Sequence, residues 1–510
     1  MDAQDGGSNL LFWFVGFGIL ITIILRTERS ESDLRHIPTP GYRGHLRSYI
    51  DAFKFAFLGP TLIQTAYQKY RPGPVRFATL HRWIVVMTGA QLFEEFRKLS
   101  EEEVSLTALV GDSDFPLYHA GHDQIIGTKN VQEFSCYLTQ NLSLVFPRIR
   151  EEVSISLKGL SLKASGWTEV EATQLVLQLV TAVNHRVIFG LTSIENEEFN
   201  SLGLTTMKQI LASRYSLIFD FLPQLRSSVF AYFTQARQSQ RRYHTTISAF
   251  VSSRISDTKT LSSDRVPHDL LSWTLSGGSS NLLEGSANAL SNLTLSVSES
   301  ISTSFLHVLY YLSANPKYAS LMRKEVEASV SKEGWNKSSV DKMHRLDSFI
   351  KESLRLNCVN SVSSVRKVLT DLRLSDGTVL PFGSVLCLPS SSQHLSSDIY
   401  GSNSTTFDGF RFSRLQEQHY ADYEPHDPGT NIALPRYQLA TSSSSYLTWG
   451  YGRHACPGRF YASMVMKLVL AMILVEFDIR FLEGVRPDDV VCNGARRMPG
   501  KEVKILIRRR

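Results

Sequence analysis

Three glycines and one cysteine fall within nine residues of the stretch Trp449-Gly450-Tyr451-Gly452-Arg453-His454-Ala455-Cys456-Pro457-Gly458-Arg459-Phe460. Glycine tolerates turns and close approaches that a side chain would block, so neither a uniform helix nor a uniform strand is written this way. Cys456 is therefore expected on a tight loop that presents its sulfur to something flat and bulky. Past Pro457 the apolar residues Phe460, Met464, Leu468, Leu470 and Leu474 recur at helical spacing. A helix beginning there would turn its positive end toward Cys456 and favour the thiolate, the form that binds iron. The same residues also admit a buried structural cysteine beside a glycine-rich turn.

Other chemistry-bearing residues lie upstream. Glu299 and Ser300 are adjacent in the segment 287–312, which reads as one long, serine-rich helix. Serine is an indifferent helix former, so packing must hold it. The flanking Leu293, Leu295 and Phe305 imply burial, although a lone glutamate there also suits an exposed turn. Glu352 and Arg355 stand three apart and share a helix face, where they can pair. On a surface such a pair contributes only about 0.3–0.5 kcal/mol. Arg366 sits in a run, Val365 to Pro381, that alternates like a strand and contains an Asp376-Gly377 turn. Arg411 lies in Phe407-Asp408-Gly409-Phe410-Arg411-Phe412.

Taken with the cysteine stretch, these motifs closely resemble those of the cytochrome P450 family, whose haem-binding loop reads aromatic, Gly, basic residue, Cys, Gly. The wording Gly-Arg-His-Ala-Cys-Pro-Gly-Arg-Phe is similar to fungal members. Trp449 stands where Phe is usual, and His454 where Arg is more frequent. The resemblance implies that Cys456 is the axial thiolate of haem b, iron protoporphyrin IX, whose electron donation favours O–O cleavage. It places Trp449, Gly450, Gly452, His454 and Gly458 in the haem-binding loop. Arg366 matches an arginine that contacts a haem propionate, a task suited to bidentate Arg–carboxylate bonding. The stretch Leu306 to Pro316 resembles the end of the family's long central helix, which puts Glu299-Ser300 on its acid–alcohol pair, the proton relay on the distal side. Ser296-Val297 replaces the small pair that precedes it. Glu352 and Arg355 match the family's Glu-x-x-Arg helix, roughly a hundred residues before Cys456. With Arg411 they would form a buried charge network bracing the haem loop, a structural role; Gly409 stands in place of the family's Pro. The polar segment 358–364, with Asn360, Ser361, Ser363 and Ser364, would line the substrate pocket. No Trp-x-x-x-Arg spelling occurs between Leu106 and Phe146, so propionate donors there are not assigned.

The supporting elements follow from pattern. Helix is expected over 43–70, a β-hairpin from Val75–Leu80 and Trp83–Met87, helix again from Gln91, and mostly helix over 170–250. The fold class implied is mainly α: a cytochrome P450 fold, a helix-rich body with small β-sheets around one buried haem. Three regions are expected: an N-terminal transmembrane anchor over 1–30, a proline-rich hinge over 31–50, and a haem-thiolate catalytic domain over 51–510. The anchor rests on Leu10 to Leu25, sixteen residues without a charge. With the uncharged Gly6 to Asn9 the run reaches roughly 30 Å as helix. Arg26 and Arg29 on its far side put the remainder in the cytosol. Its acidic start, Asp2 and Asp5, is unlike a cleaved signal peptide.

A net charge of +6 and a basic C-terminus without interleaved aromatics argue against nucleic acid. Five cysteines, an odd number with no CxxC pair, argue against a zinc site and a disulfide framework. The resemblance then implies an oxidoreductase using O2 and NADPH-derived electrons. It would be a haem-thiolate monooxygenase of the endoplasmic reticulum membrane, single-pass with its catalytic domain cytosolic. Its electron donor would be an NADPH–cytochrome P450 reductase docking on the cysteine side, which Arg453, Arg459 and Lys467 would make basic. Its substrate would be a lipophilic small molecule, by analogy a terpenoid in secondary metabolite biosynthesis. Two alternatives are a haem-thiolate isomerase or dehydratase, which an apolar residue at the acid position would favour, and a non-catalytic membrane-tethered haem-binding protein.

Overall fold

The computed structural model describes residues 34–510 apart from 43, 81, 111–127, 215–235, 259–267, 277–279, 422–436, 493 and 501. The expected anchor, Leu10 to Leu25, lies outside the described residues, and no helix among those described is long and apolar enough to cross a membrane. The first described residues pack on the body. Leu34 and Ile37 are buried with Leu92, Phe93 and Leu447, and Pro38 O accepts from Arg76 N at 2.9 Å. The first long helix, α1 (His45–Tyr70), begins inside the stretch expected to be hinge.

Next come β1 (Gly73–Ala78) and β2 (Trp83–Thr88), the expected hairpin, antiparallel with Val75 opposite Val86. The chain continues through α2 (Ala90–Lys98), β3 (Val104–Ser105), α3 (Thr128–Gln140), α4 (Leu142–Lys158), β4 (Thr168–Glu171), α5 (Ala172–Phe189), α6 (Glu197–Arg214) and α7 (Ala236–Thr258). The central helix α8 (Ser280–Ala314) runs 35 residues, longer at both ends than its sequence pattern suggests. It packs against α5, α7 and the later helices α10 (His344–Leu356) and α12 (Arg459–Glu476), with α9 (Lys317–Glu333) lying on α12.

Serine is tolerated in α8 because the helix is held from several sides. Its hydroxyls also bond back along the helix: Thr294 Oγ1 donates to Leu290 O at 2.6 Å and Ser313 Oγ to Leu309 O at 2.8 Å. The later helix α12 is apolar all round and buried from Tyr461 to Leu474, as a core helix must be.

The run Val365 to Pro381 does not form one strand. Its first part is β5 (Ser363–Val368), which joins a five-stranded sheet of order β1-β2-β8-β5-β3 with β8 (Val385–Leu388). Its second part folds on itself as β6 (Leu372–Arg373) and β7 (Val379–Leu380). The Asp376-Gly377 turn between them has Gly377 at φ 87°. Alternation marks an extended chain but not which neighbour it bonds to. After α11 (Arg411–Ala421) and α12, the C-terminal segment adds β9 (Phe477–Arg480), the β10 (Val490–Cys492) and β11 (Arg496–Met498) hairpin, and β12 (Lys504–Arg509). The last strand lies between β4 and β9.

Candidate active site

Cys456 lies on the expected loop. Trp449 O accepts from Cys456 N at 2.6 Å, closing the loop, and a short 3-10 turn spans Gly452–His454. Gly450 and Gly452 have φ of 76° and 67°, which other residues rarely adopt. A Cβ at Gly450 would stand 2.9 Å from Ser364 Oγ. Ser364 sits at a bulge in β5 and itself has φ 54°. Its hydroxyl accepts from Tyr451 N at 3.2 Å, tying sheet to loop.

Backbone N–H groups of Gly458 and Arg459 point at the Cys456 sulfur and, with the Arg459 charge, pull its pKa down. Burial nevertheless outweighs them and raises the thiol above its ordinary value. Trp449 donates its indole N–H to Leu439 O at 2.7 Å, which fixes the ring.

Arg366 donates to Val365 O at 2.8 Å and to His454 O at 3.3 Å, so its guanidinium lies on the cysteine loop. The His454 ring is buried, with Nδ1 3.1 Å from Glu101 Oε1 and Nε2 2.9 Å from Leu99 O. Burial and the nearby Arg366 charge lower its pKa. The expected basic docking side is only partly formed. Arg453 is exposed and Arg459 half-buried, but Lys467 is buried and paired with Asp347 at 2.9 Å. Position 467 falls on the inner face of a helix buried all round, so its charge is neutralised in the core.

The structure brings Glu352, Arg355 and Arg411 together. Arg355 Nε and Nη2 donate to Glu352 Oε2 and Oε1 at 2.7 and 2.8 Å, with both side chains fully buried. Arg411 Nε donates to both oxygens at 3.1 and 3.2 Å. The remaining guanidinium groups meet the carbonyls of His394, Ser404, Tyr400 and Asn403. Gly409 explains the departure at that position. A Cβ there would stand 2.7 Å from Phe349 Cδ2, and its N–H donates to Tyr318 OH at 3.3 Å, so proline would lose a bond and clash.

Glu299 and Ser300 separate as adjacent helical residues must, about 100° apart. Ser300 is exposed on a helix whose neighbouring positions are buried. Glu299 is 5% exposed and accepts from Arg496 Nη2 at 2.6 Å. Ser298 accepts from Asn184 Nδ2 at 2.8 Å, and Asn184 Oδ1 accepts from Tyr461 OH at 2.7 Å. Arg496, Asn184 and Tyr461 carry no motif in the sequence. In the segment 358–364, Ser361 and Ser364 are buried, and Asn360 and Ser363 are half-buried.

The donor set suits a thiolate-bound haem. The Cys456 sulfur receives backbone N–H groups as a thiolate would. A Cβ on Gly458, two residues after Cys456, would meet no heavy atom within 4 Å, so the loop faces open space there. Arg366 brings a guanidinium to the same loop for anionic groups, while both His454 ring nitrogens are taken up by Glu101 and Leu99.

Comparison with known proteins agrees. The cytochrome P450 family model matches residues 65–506. The chain is 29% identical to cytochrome P450 monooxygenase 151 of Postia placenta, over 99% of each chain. It is 27% identical to cytochrome P450 monooxygenase CYP512U6 of Ganoderma lucidum, over 84% of this chain and 82% of that one. It is also 27% identical to ent-kaurene oxidase of Gibberella intermedia, over 98% and 92%. With the family matched across most of its length, the chain belongs to the cytochrome P450 monooxygenases, oxidoreductases that work with haem b.

Proposed function

We propose that this P450 is anchored in the endoplasmic reticulum membrane by Leu10 to Leu25 and inserts one oxygen atom from O2 into a terpenoid of secondary metabolism. Electrons come from NADPH through a cytochrome P450 reductase docking beside Arg453 and Arg459. Similarity to relatives named ent-kaurene oxidase supports the terpenoid class. When bound, the haem supplies the oxidation chemistry, and the protein supplies position and electrostatics. Cys456 Sγ would ligate the haem iron. Trp449, Gly450, Gly452 and Gly458 shape the loop around it. Arg366 would hold a propionate, and His454 would brace the loop through Glu101 and Leu99. The Glu352–Arg355–Arg411 network braces the loop from behind, and the segment 358–364 borders the substrate.

Glu299 and Ser300 manage protons. Reducing O2 to one inserted oxygen and one water consumes two protons, and a site shielded from bulk water needs groups to carry them. Glu299 is a buried carboxylate, and a serine hydroxyl can accept one proton while donating another. Ser300 exposed beside buried Glu299 is the observation that carries this reading over a haem protein without turnover.

The test is co-expression with a reductase, feeding of a terpenoid panel that includes ent-kaurene, and mass spectrometry of the products. The expected result is a product one oxygen atom heavier than its precursor, dependent on both NADPH and reductase. A product formed equally without reductase would instead make the protein an isomerase or dehydratase. Haem-loaded protein that turns over no member of the panel would remove the terpenoid assignment.

A further inference from the structure

The residue that grips Glu299 comes from 197 positions away. Arg496 Nη2 donates to Glu299 Oε1 at 2.6 Å, with the two side chains 9% and 7% exposed. A bidentate-capable, always-charged guanidinium at that distance both orients a carboxylate and favours its ionised form. Arg496 is held in turn, since its Nε lies 3.2 Å from Met498 Sδ. The strand that carries it, β11, is bonded to the segment after α10. Arg497 N donates to Val359 O at 2.9 Å, Ser361 N donates to Ala495 O at 2.6 Å, and Asn360 bridges to Arg496.

Rotation of α8 is fixed at the same place. Ser298, Glu299 and Ser300 point in three directions about 100° apart. Ser298 is bonded to Asn184 of α5, Glu299 to Arg496 of β11, and Ser300 is exposed. The carboxylate therefore faces the C-terminal strands rather than the side of Ser300. One turn further along that face, Thr303 and Leu306 line a cavity of 380 Å³ together with Met498, Lys208 and Glu502. The Thr303 hydroxyl, fully buried, has no hydrogen-bond partner among the described residues.

We propose that Arg496 is a positioning residue for proton delivery. It fixes where the Glu299 carboxylate stands, on the Thr303 and Met498 side of α8, and so the point at which the acid takes up and passes on a proton. Arg496 also ties the acid to residues 359–361, the segment proposed to border substrate. This inference rests on the reading of Glu299 as the relay acid.

The test uses haem-loaded full-length protein with reductase and compares Arg496→Gln, Arg496→Lys, Glu299→Gln and the double variant Glu299→Gln/Arg496→Gln. Two quantities are measured: the solvent deuterium isotope effect on NADPH oxidation, and the thermal midpoint, which needs no turnover. Arg496→Gln is expected to raise the isotope effect about twofold or more, as far as Glu299→Gln does. The double variant should raise it no further, because both act through one group. Arg496→Lys should return it toward the wild-type value.

The thermal midpoint of the double variant should be no lower than that of Arg496→Gln, since removing the arginine alone strands a buried charge. A wild-type isotope effect in Arg496→Gln, alongside a raised one in Glu299→Gln, overturns the positioning role and leaves the relay standing. A wild-type isotope effect in Glu299→Gln overturns the relay itself. Should Arg496→Gln fail to fold, the double variant is still expected to fold, and its failure as well would overturn the pairing.

Discussion

Arg355 clasps Glu352 through two parallel hydrogen bonds of 2.7 and 2.8 Å, one helical turn apart on α10 and wholly out of water. A second arginine, Arg411, approaches the same carboxylate from the start of α11, 59 residues on. One negative charge between two positive ones is stable in a dry interior only because the spare guanidinium N–H groups reach backbone carbonyls. Glu352→Ala leaves both arginines buried without their anion, costing roughly 3–5 kcal/mol. Haem content per mole of purified variant should fall to near zero. A normal yield of loaded protein would show that the network is dispensable.

Cys456 is predicted to be the sole cysteine that haem binding requires. Cys358 and Cys387 are fully buried thiols whose pKa burial pushes up, Cys358 to about 12, so neither is a thiolate at working pH. Reduced wild-type protein with CO should show the red-shifted Soret band of a thiolate ligand, and Cys456→Ala should lose it. Cys358→Ser and Cys387→Ser should keep it. Retention of the band by Cys456→Ala would sink the ligand assignment.

Acid should destabilise the protein through its buried histidines. His307 on α8 is fully buried, and burial lowers its pKa from 6.5 to about 4; Asp489 pulls it upward, and Arg486 and Arg497 push it down. His185 behaves alike, also at about 4. Between pH 6.5 and 4 the unfolded chain takes up protons at these sites that the folded protein refuses. Stability is therefore full above the upper value and is lost as pH falls through the window, by on the order of 3 kcal/mol for His307. His307→Asn keeps an acceptor near Arg486 Nη2, which lies 3.0 Å from His307 Nδ1. It should give a shallower fall of thermal midpoint with acidification. An unchanged slope would mean that His307 is already protonated in the fold.

Deleting Met1 to Leu25 should move the protein from the membrane pellet toward the supernatant and leave the CO spectrum intact. The described body starts before α1, with Leu34 and Ile37 already packed on it, so the deletion removes no core contact seen there. Loss of haem binding in the truncated protein would place the apolar run within the fold instead.

The cysteine loop and the Glu-x-x-Arg pair were readable from sequence because their geometry is local. Positive-φ glycines, a turn closed on Cys456 and an i, i+3 pair depend on neighbours a few positions away. The β1–β2 hairpin and the core helices followed from periodicity for the same reason. Tertiary structure alone decided the rest. The Asp376-Gly377 turn in Val365 to Pro381 was legible, but not that the first part of the run would bond to β8 and to β3, which lies far earlier in the chain. Lys467 read as part of a basic surface, yet it lies inside α12 against Asp347, since helix burial on every side depends on what surrounds it. Gly409 looked like a lapse from a proline motif until Phe349 and Tyr318 were seen to occupy the space. Glu299 could be placed on its helix from sequence, but its direction could not. The choice between facing Ser300's side and facing Arg496 is made by contacts that join residues 114 and 197 positions apart. Such contacts leave no periodic trace in the chain, because only folding brings them within hydrogen-bonding distance.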